Sequence, residues 1–213
     1  MPRIPRGQAA GYVYHIINRG NGRSEIFHKS QDYQAFLDLL SAAKKRQPVK
    51  LLAFCLMPNH FHLILEPAHT TALSKFMQWL LTSHVRRYHR HYRSSGHIWQ
   101  GRFKSFPIQQ DEHLLTVLRY VLQNPVRAGL AKSPGQWTWS SINQKEIGDP
   151  LPLEAPADWI EGIEKPLRDS EIETLRDCVN RQRPFGVLDW QQKIARAFGL
   201  EVNMRPRGRP RKN

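Results

Sequence analysis

The sequence predicts an α+β fold: a small antiparallel sheet of the split βαβ type packed by helices, followed by a small helical extension and a basic tail. Two observations carry this. Strand-like apolar stretches and helix-spaced ones succeed each other in the order β-α-β-β-α-β-α. The chain has 213 residues, 40% of them hydrophobic, enough for one sizeable core plus something smaller. No apolar run approaches the roughly 18 to 20 residues of a membrane span.

Taken in order, "GYVYHIINRG" (11–20) is β-branched and aromatic and runs into Arg-Gly-Asn-Gly, a strand and its turn. "SQDYQAFLDLLSAAKKR" begins on Ser30 as an N-cap and ends on basic residues, a helix. "VKLLAFCLM" is a strand, Pro58-Asn59 supplies turn chemistry, and "HFHLILE" returns as the next strand. Leu73, Phe76, Met77, Leu80, Leu81, Val85 and Tyr88 follow helical spacing and give a long amphipathic helix with a basic end, "RRYHRHYR". "HIWQGRFKSFPI" is strand-like and interrupted by Gly101. Asp111 then caps "EHLLTVLRYVLQN", a helix that stops at Pro125.

This order is that of a ferredoxin- or RRM-like sheet over residues 1–142. Residues 143–170 are Pro-rich and acidic and read as a linker. Residues 171–202 read as a small helical region around Pro184-Phe185-Gly186, and 203–213 as a flexible basic tail.

The formal charge of +14 calls for a polyanionic partner, nucleic acid before an anionic membrane. The charge is segregated. Between Glu66 and Asp111 no acid occurs, while residues 146–177 carry ten acids against three Lys or Arg, and the last nine residues carry five basic side chains. Such segregation predicts a binding face and a separate acidic segment. Two distant cysteines, Cys55 and Cys178, and an N-terminus without an apolar signal core predict reduced thiols in a cytoplasmic protein.

The chemistry centres on "MPNHFHLIL" (57–65). On a strand His60 and His62 share one face and Phe61, Leu63 and Leu65 take the other. Two imidazoles at that spacing suit a divalent metal but need a third ligand, and on the spacing alone satisfied core or surface histidines are the simpler reading. "RYVLQNPVRAG" places Tyr120 and Asn124 one helical turn apart, flanking the buried stripe. An amide oxygen is an acceptable ligand for Mg²⁺ or Mn²⁺, and Gln123 is its rival. Spacing alone leaves a rim aromatic and a helix-ending asparagine as the simpler readings of Tyr120 and Asn124.

"MPNHFHLIL", then "WQGRFKS", then "YVLQNPVRAGL", in that order, resemble the REP-associated tyrosine transposases, a bacterial branch of the single-tyrosine, IS200-like HUH transposases. "YHIINRGN" at the start and the stretch from "RPFGVLDW" to the C-terminus resemble the same group. The resemblance implies that His60, His62 and Asn124 bind Mg²⁺ or Mn²⁺ and that Tyr120 is the nucleophile. It implies a metal-dependent endonuclease and strand transferase that nicks and joins single-stranded DNA through a 5′-phosphotyrosine, at palindromic extragenic repeats that fold as hairpins. On that reading Arg86, Arg87, Arg90, Arg93, Arg102 and Lys104 contact the DNA backbone. Trp99, Phe103 and Phe106 either stack on bases or pack the core. Arg207, Arg209 and Arg211 resemble a minor-groove hook. The expected setting is the bacterial cytoplasm, at the nucleoid and not at a membrane, with monomer and homodimer both open. The competing expectations are a non-catalytic DNA or RNA reader and a metal hydrolase that needs no tyrosine.

Overall fold

A computed structural model describes residues 7–205. Arg207, Arg209 and Arg211 lie outside the described residues. The first elements succeed each other as predicted: β1 (Val13–Arg19), α1 (Ser30–Arg46), β2 (Val49–Met57), β3 (His60–Pro67), α2 (Ala72–Tyr92), β4 (Lys104–Ile108) and α3 (Glu112–Leu122). The strands form one sheet in the order β2-β3-β1-β4, and every neighbouring pair is antiparallel. This is the α+β, split βαβ topology that the residue pattern predicts.

Strand alternation gives the sheet two different faces. On one, Tyr14, Ile16, Phe54, Phe61, Leu63 and Leu65 pack against Phe36, Leu37 and Leu40 of α1 and Phe76, Met77 and Leu80 of α2. On the other, Val13, Cys55, Ile64, Phe106 and Ile108 pack against Leu114, Val117, Leu118 and Val121 of α3 and Leu175 and Cys178 further on. This second face carries a polar break at one end, where Ile17 pairs with His62 and Arg19 with His60. Both cysteines are free and buried, and burial pushes both thiols up in pKa, Cys178 to about 12.

Several local expectations change. Ser30 does not cap α1. Asp32, at the third helical position, accepts the backbone N–H groups of His28 (3.0 Å) and Lys29 (3.3 Å), because a carboxylate satisfies those orphan donors better than a hydroxyl. Of the stretch 97–108 only Lys104–Ile108 is a strand. Residues 97–103 instead close over the end of the sheet, where Trp99 bridges to Gly20 and the Gln100 N–H donates to the Arg19 carbonyl (2.9 Å). Gly101 allows the bend with φ 158°.

Downstream lie α4 (Asn124–Arg127), α5 (Trp159–Glu164), α6 (Asp169–Arg181), α7 (Leu188–Phe198) and α8 (Glu201–Met204). Pro125 does stop α3, but it also starts α4 at a position where its missing N–H costs nothing. Residues 143–170 are packed rather than strung out. Leu151, Leu153 and Trp159 lie against the second core, and Asp149 accepts the Leu51 N–H (2.7 Å) while pairing with Lys44 (2.6 Å). Regular structure also continues past 203: Asn203 is buried and donates to the Gln182 carbonyl. No helix among the described residues is long and apolar enough to cross a membrane.

Candidate active site

A cavity of about 370 Å³ opens where the β2–β3 hairpin, the end of β1, the α3–α4 junction and α6 meet. His60, His62, Tyr120 and Asn124 all line it. So do Arg19, Arg127, Arg176 and Asn180, and among the described residues no carboxylate does.

The hairpin positions the histidines. Pro58 and Asn59 form its two-residue turn between the paired Met57 and His60. The Pro58 carbonyl takes the N–H groups of Ile26 and Phe27, and the Asn59 carbonyl takes that of Gly20. His60 Nδ1 lies 2.6 Å from Asn59 Oδ1, and His62 Nδ1 lies 2.7 Å from His15 Nε2. Each Nδ1 thus has a polar partner within the protein, and each ring's remaining nitrogen is its Nε2. Burial, and then the Arg19 charge, lowers the His60 pKa to about 4. Burial also lowers that of His62 well below its ordinary value, helped by His15, His60 and Arg127. Both rings are neutral near pH 7, the form that binds metal.

Tyr120 and Asn124 come from the end of α3. The Asn124 amide N–H donates to the carbonyls of Tyr120 (3.1 Å) and Val121 (3.2 Å), capping the helix and leaving Oδ1 for a cation. Gln123 is excluded as the rival. Its amide is buried and donates to the carbonyls of Ile163 (2.7 Å) and Lys165 (2.5 Å), tying α3 to α5. The Tyr120 ring meets those of His62 and His15 edge-on, with centroids at 6.0 and 6.3 Å. The guanidinium of Arg127 lies 4.4 Å from its centroid. Two imidazole nitrogens and one amide oxygen fit a divalent cation. The three arginines, with no acid beside them, fit an anion that arrives with it.

The DNA-contact residues named from sequence separate into groups. Arg102 and Lys104 line a second cavity of about 230 Å³ that shares Ile17, Arg19, Val179 and Asn180 with the first. Arg86, Arg87, Arg90 and Arg93 belong to the α1–α2 layer, across the sheet from Tyr120. Helix α2 nevertheless ends toward the same edge of the sheet, since the chain passes directly to Trp99 beside Gly20. Trp99 and Phe103 are 7% and 5% exposed and belong to the first core, and Phe106 is 2% exposed in the second. Rings so enclosed offer little free face for a base, and packing accounts for their positions. Among the described residues both faces of the sheet are covered by helices, whereas the sheet of an RNA reader of this fold presents aromatic residues to bases.

Sequence reasoning missed His15, Arg19, Arg127, Arg176 and Asn180. The first two had a signal: with alternation, His15 and Arg19 fall on the face of β1 that pairs beside His62 and His60. Arg176 and Asn180 are one helical turn apart on α6, and nothing local marks them. One group of metal-ligand type, Asp111, Glu112 and His113, lies at the other end of α3. Asp111 is there the N-cap, accepting the His113 N–H (2.9 Å) and facing its Nδ1 (2.7 Å).

The class this arrangement defines is an antiparallel α+β domain with paired strand histidines facing a helix-borne tyrosine. A family model described as IS200-like transposase matches residues 8–124, and the chain belongs to that family. A Haemophilus influenzae protein named as a REP-associated tyrosine transposase is 30% identical over 108 residues. That match spans 46% of this chain and 61% of the relative. The REP-associated tyrosine transposase of Escherichia coli K12 is 23% identical over 151 residues, 70% of this chain and 84% of its own. The structure of a REP-associated tyrosine transposase bound to a REP hairpin superposes with a TM-score of 0.56 at 21% identity. It covers 73% of this chain and 93% of that one, a likeness of fold. The IS200-like family that the sequence resembles is thus met by the family model, and both relatives carry the REP-associated name.

Proposed function

We propose that this protein is a metal-dependent endonuclease and strand transferase for single-stranded DNA, acting at hairpin-forming palindromic repeats through a 5′-phosphotyrosine intermediate. One observation carries the reading: His60, His62, Asn124 and Tyr120 converge on one cavity whose charged lining, among the described residues, is arginine. The similar proteins named for REP sequences, one of them solved with a REP hairpin, support the choice of substrate.

His60, His62 and Asn124 would hold Mg²⁺ or Mn²⁺. When bound, such a cation polarises the scissile phosphate and offsets charge on the leaving oxygen. Tyr120 Oη attacks phosphorus in line. The bond from phosphorus to the 3′ oxygen breaks, the phenolic proton is lost and the 3′ oxygen takes one up as a hydroxyl. The phosphodiester energy stays in the tyrosyl ester, so rejoining needs no nucleotide cofactor. Arg127, against the Tyr120 ring, fixes the ring's position. With Arg19 and Arg176 it neutralises phosphate charge in a partly buried setting where such charges act strongly. Arg102 and Lys104 continue the basic path, and the arginines of α2 contact DNA that passes the sheet edge.

The test is a labelled hairpin oligonucleotide with a single-stranded flank, incubated with Mn²⁺ and run on a denaturing gel. A covalent adduct is expected, lost in Tyr120→Phe and with chelator. Cleavage that survives Tyr120→Phe would make the protein a hydrolase. Loss of cleavage in His60→Ala but not in Asn124→Ala would remove Asn124 from the ligand set.

A further inference from the structure

Behind the paired histidines lies a third. His15 is fully buried on β1, diagonal to His62 across the β1–β3 ladder, and its Nε2 is 2.7 Å from His62 Nδ1. The two ring planes differ by 6° and the centroids are 5.0 Å apart. That separation is the nitrogen–nitrogen distance plus two ring radii laid end to end. The rings therefore meet edge to edge in one plane, as a hydrogen bond requires, and do not overlap face to face. Phe106 packs edge-on against His15 at 4.9 Å and Tyr120 stands across both rings, so the pair has little room to turn.

Only one proton can occupy that hydrogen bond, and its owner decides what His62 can do. Both rings are buried, at 0% and 2% exposure, and no carboxylate among the described lining residues would offset an imidazolium, so each ring carries a single N–H. If His15 donates from Nε2, then His62 Nδ1 is the acceptor and His62 carries its proton on Nε2, facing the cavity. An N–H there cannot ligate. If His62 donates from Nδ1, its Nε2 lone pair faces the cavity and can. The buried Nδ1 of His15 has no partner in either case, so local satisfaction does not oppose the second arrangement by a lost bond. Metal-binding histidines ordinarily secure this tautomer by donating to a carboxylate or carbonyl. Among the described residues no carboxylate lines this cavity, and His15 occupies the place of one.

We propose that His15 is a positioning residue, the neutral acceptor that holds His62 in its Nδ1–H tautomer with Nε2 open to a divalent cation. The proposal rests on the metal reading of His60 and His62, but its first test does not. Long-range ¹⁵N–¹H correlation spectra of the metal-free protein, with histidines labelled, report which ring nitrogen carries the proton. His62 is expected as the Nδ1–H form and His15 likewise. A His62 protonated on Nε2 overturns the proposal, whatever the metal does.

The second test is Mn²⁺ binding followed by electron paramagnetic resonance, with no DNA present. In His15→Phe, which keeps the ring and removes the acceptor, affinity is expected to fall about 10- to 100-fold. His15→Gln, which restores an acceptor oxygen, is expected to recover part of it. Equal affinity in wild type and a folded His15→Phe overturns the positioning role. If wild type binds no Mn²⁺ while the metal-free spectra show His62 as Nδ1–H, the metal reading fails and the tautomer assignment stands. If His15→Phe does not fold, the spectra of wild type still decide.

Discussion

Arg127 holds Tyr120 from two directions. Its guanidinium lies 4.4 Å from the ring centroid, and its Nη2 donates to the Tyr120 carbonyl at 2.5 Å. Its Nη1 is buried without a hydrogen-bond partner. One cation thus fixes the backbone and the ring of the proposed nucleophile while keeping one donor unused beside the cavity. Burial also lowers the Arg127 pKa, the signature of a charge kept out of water with no carboxylate to offset it.

Replacing Arg127 should therefore cost rate more than affinity. Arg127→Ala is expected to slow single-turnover adduct formation by about 10²-fold, the order seen when one preorganised charge donor is removed from a reacting centre. Arg127→Lys should recover little, since an ammonium cannot both lie flat on the ring and reach the carbonyl. Quench-flow kinetics with a hairpin substrate measure this. An unchanged rate in Arg127→Ala would reduce the residue to a helix-end tie.

Arg176 and Asn180 should matter to DNA although they lie outside the 8–124 match. Arg176→Gln is expected to weaken DNA binding and to lower the slope of log affinity against log salt by about one, the signature of one lost phosphate contact. Fluorescence anisotropy between about 50 and 200 mM salt gives the slope, over a range where 6 to 10 contacts would change affinity by roughly 10³ to 10⁵. A wild-type slope in Arg176→Gln would mean that α6 only roofs the cavity.

The strands, the three large helices and their order were legible because period-two and helical spacing record which face of each element is buried. His60, His62, Tyr120 and Asn124 were legible only as quoted blocks, and no spacing rule joins a strand at 60 to a helix end at 124. His15 could be placed on a face but not beside His62, because its role depends on the register that pairs Ile17 with His62. Residues 143–170 misled because their acids and prolines hide Leu151, Leu153 and Trp159, which pack on the second core. The α6 contribution needs the whole chain folded, since Leu175 and Cys178 must bury before Arg176 and Asn180 face the cavity.

Trp99 separates packing from base stacking. It is 7% exposed and lies against Phe61, His84 and Phe36. Trp99→Ala is expected to cost about 3 to 5 kcal/mol of stability, the usual penalty for emptying a large aromatic site, and to leave DNA affinity of the folded fraction unchanged. Urea midpoints and binding on the same samples check both halves. Loss of affinity at unchanged stability would return the ring to the DNA interface.

Acid should unfold the protein partly through His84, which packs in the core on the other face of the sheet from the cavity. His84 is 2% exposed among Phe27, Phe36 and Trp99, and burial, then the Arg87 charge, lowers its pKa to about 3. The folded value lies below the unfolded 6.5, so the unfolded chain binds the extra proton. Its contribution is present above pH 6.5 and is lost as pH falls from there toward 3, by roughly 2 kcal/mol at pH 5. His84→Leu, similar in bulk and without a titrating group, should flatten the fall in urea midpoint between pH 7.5 and 5. An equally steep fall in the variant would assign acid sensitivity to His15, His60 and His62 instead.

Asp149 tests whether the acidic segment is structural. Its Oδ2 accepts the backbone N–H of Leu51 at 2.7 Å and meets Lys44 Nζ at 2.6 Å, joining the segment to β2 and α1 at once. Both side chains are partly screened, at 29% and 21% exposure, so the ion pair alone is worth little. The larger loss in Asp149→Ala is the acceptor of a β2 N–H, and about 1 to 3 kcal/mol of stability is expected to go with it. Asp149→Asn keeps an acceptor and should lose less. Neither change should tighten DNA binding, because the carboxylate is committed to the fold and is not standing in for a phosphate. Tighter binding in Asp149→Ala at unchanged stability would instead mark the segment as an internal competitor for the basic face.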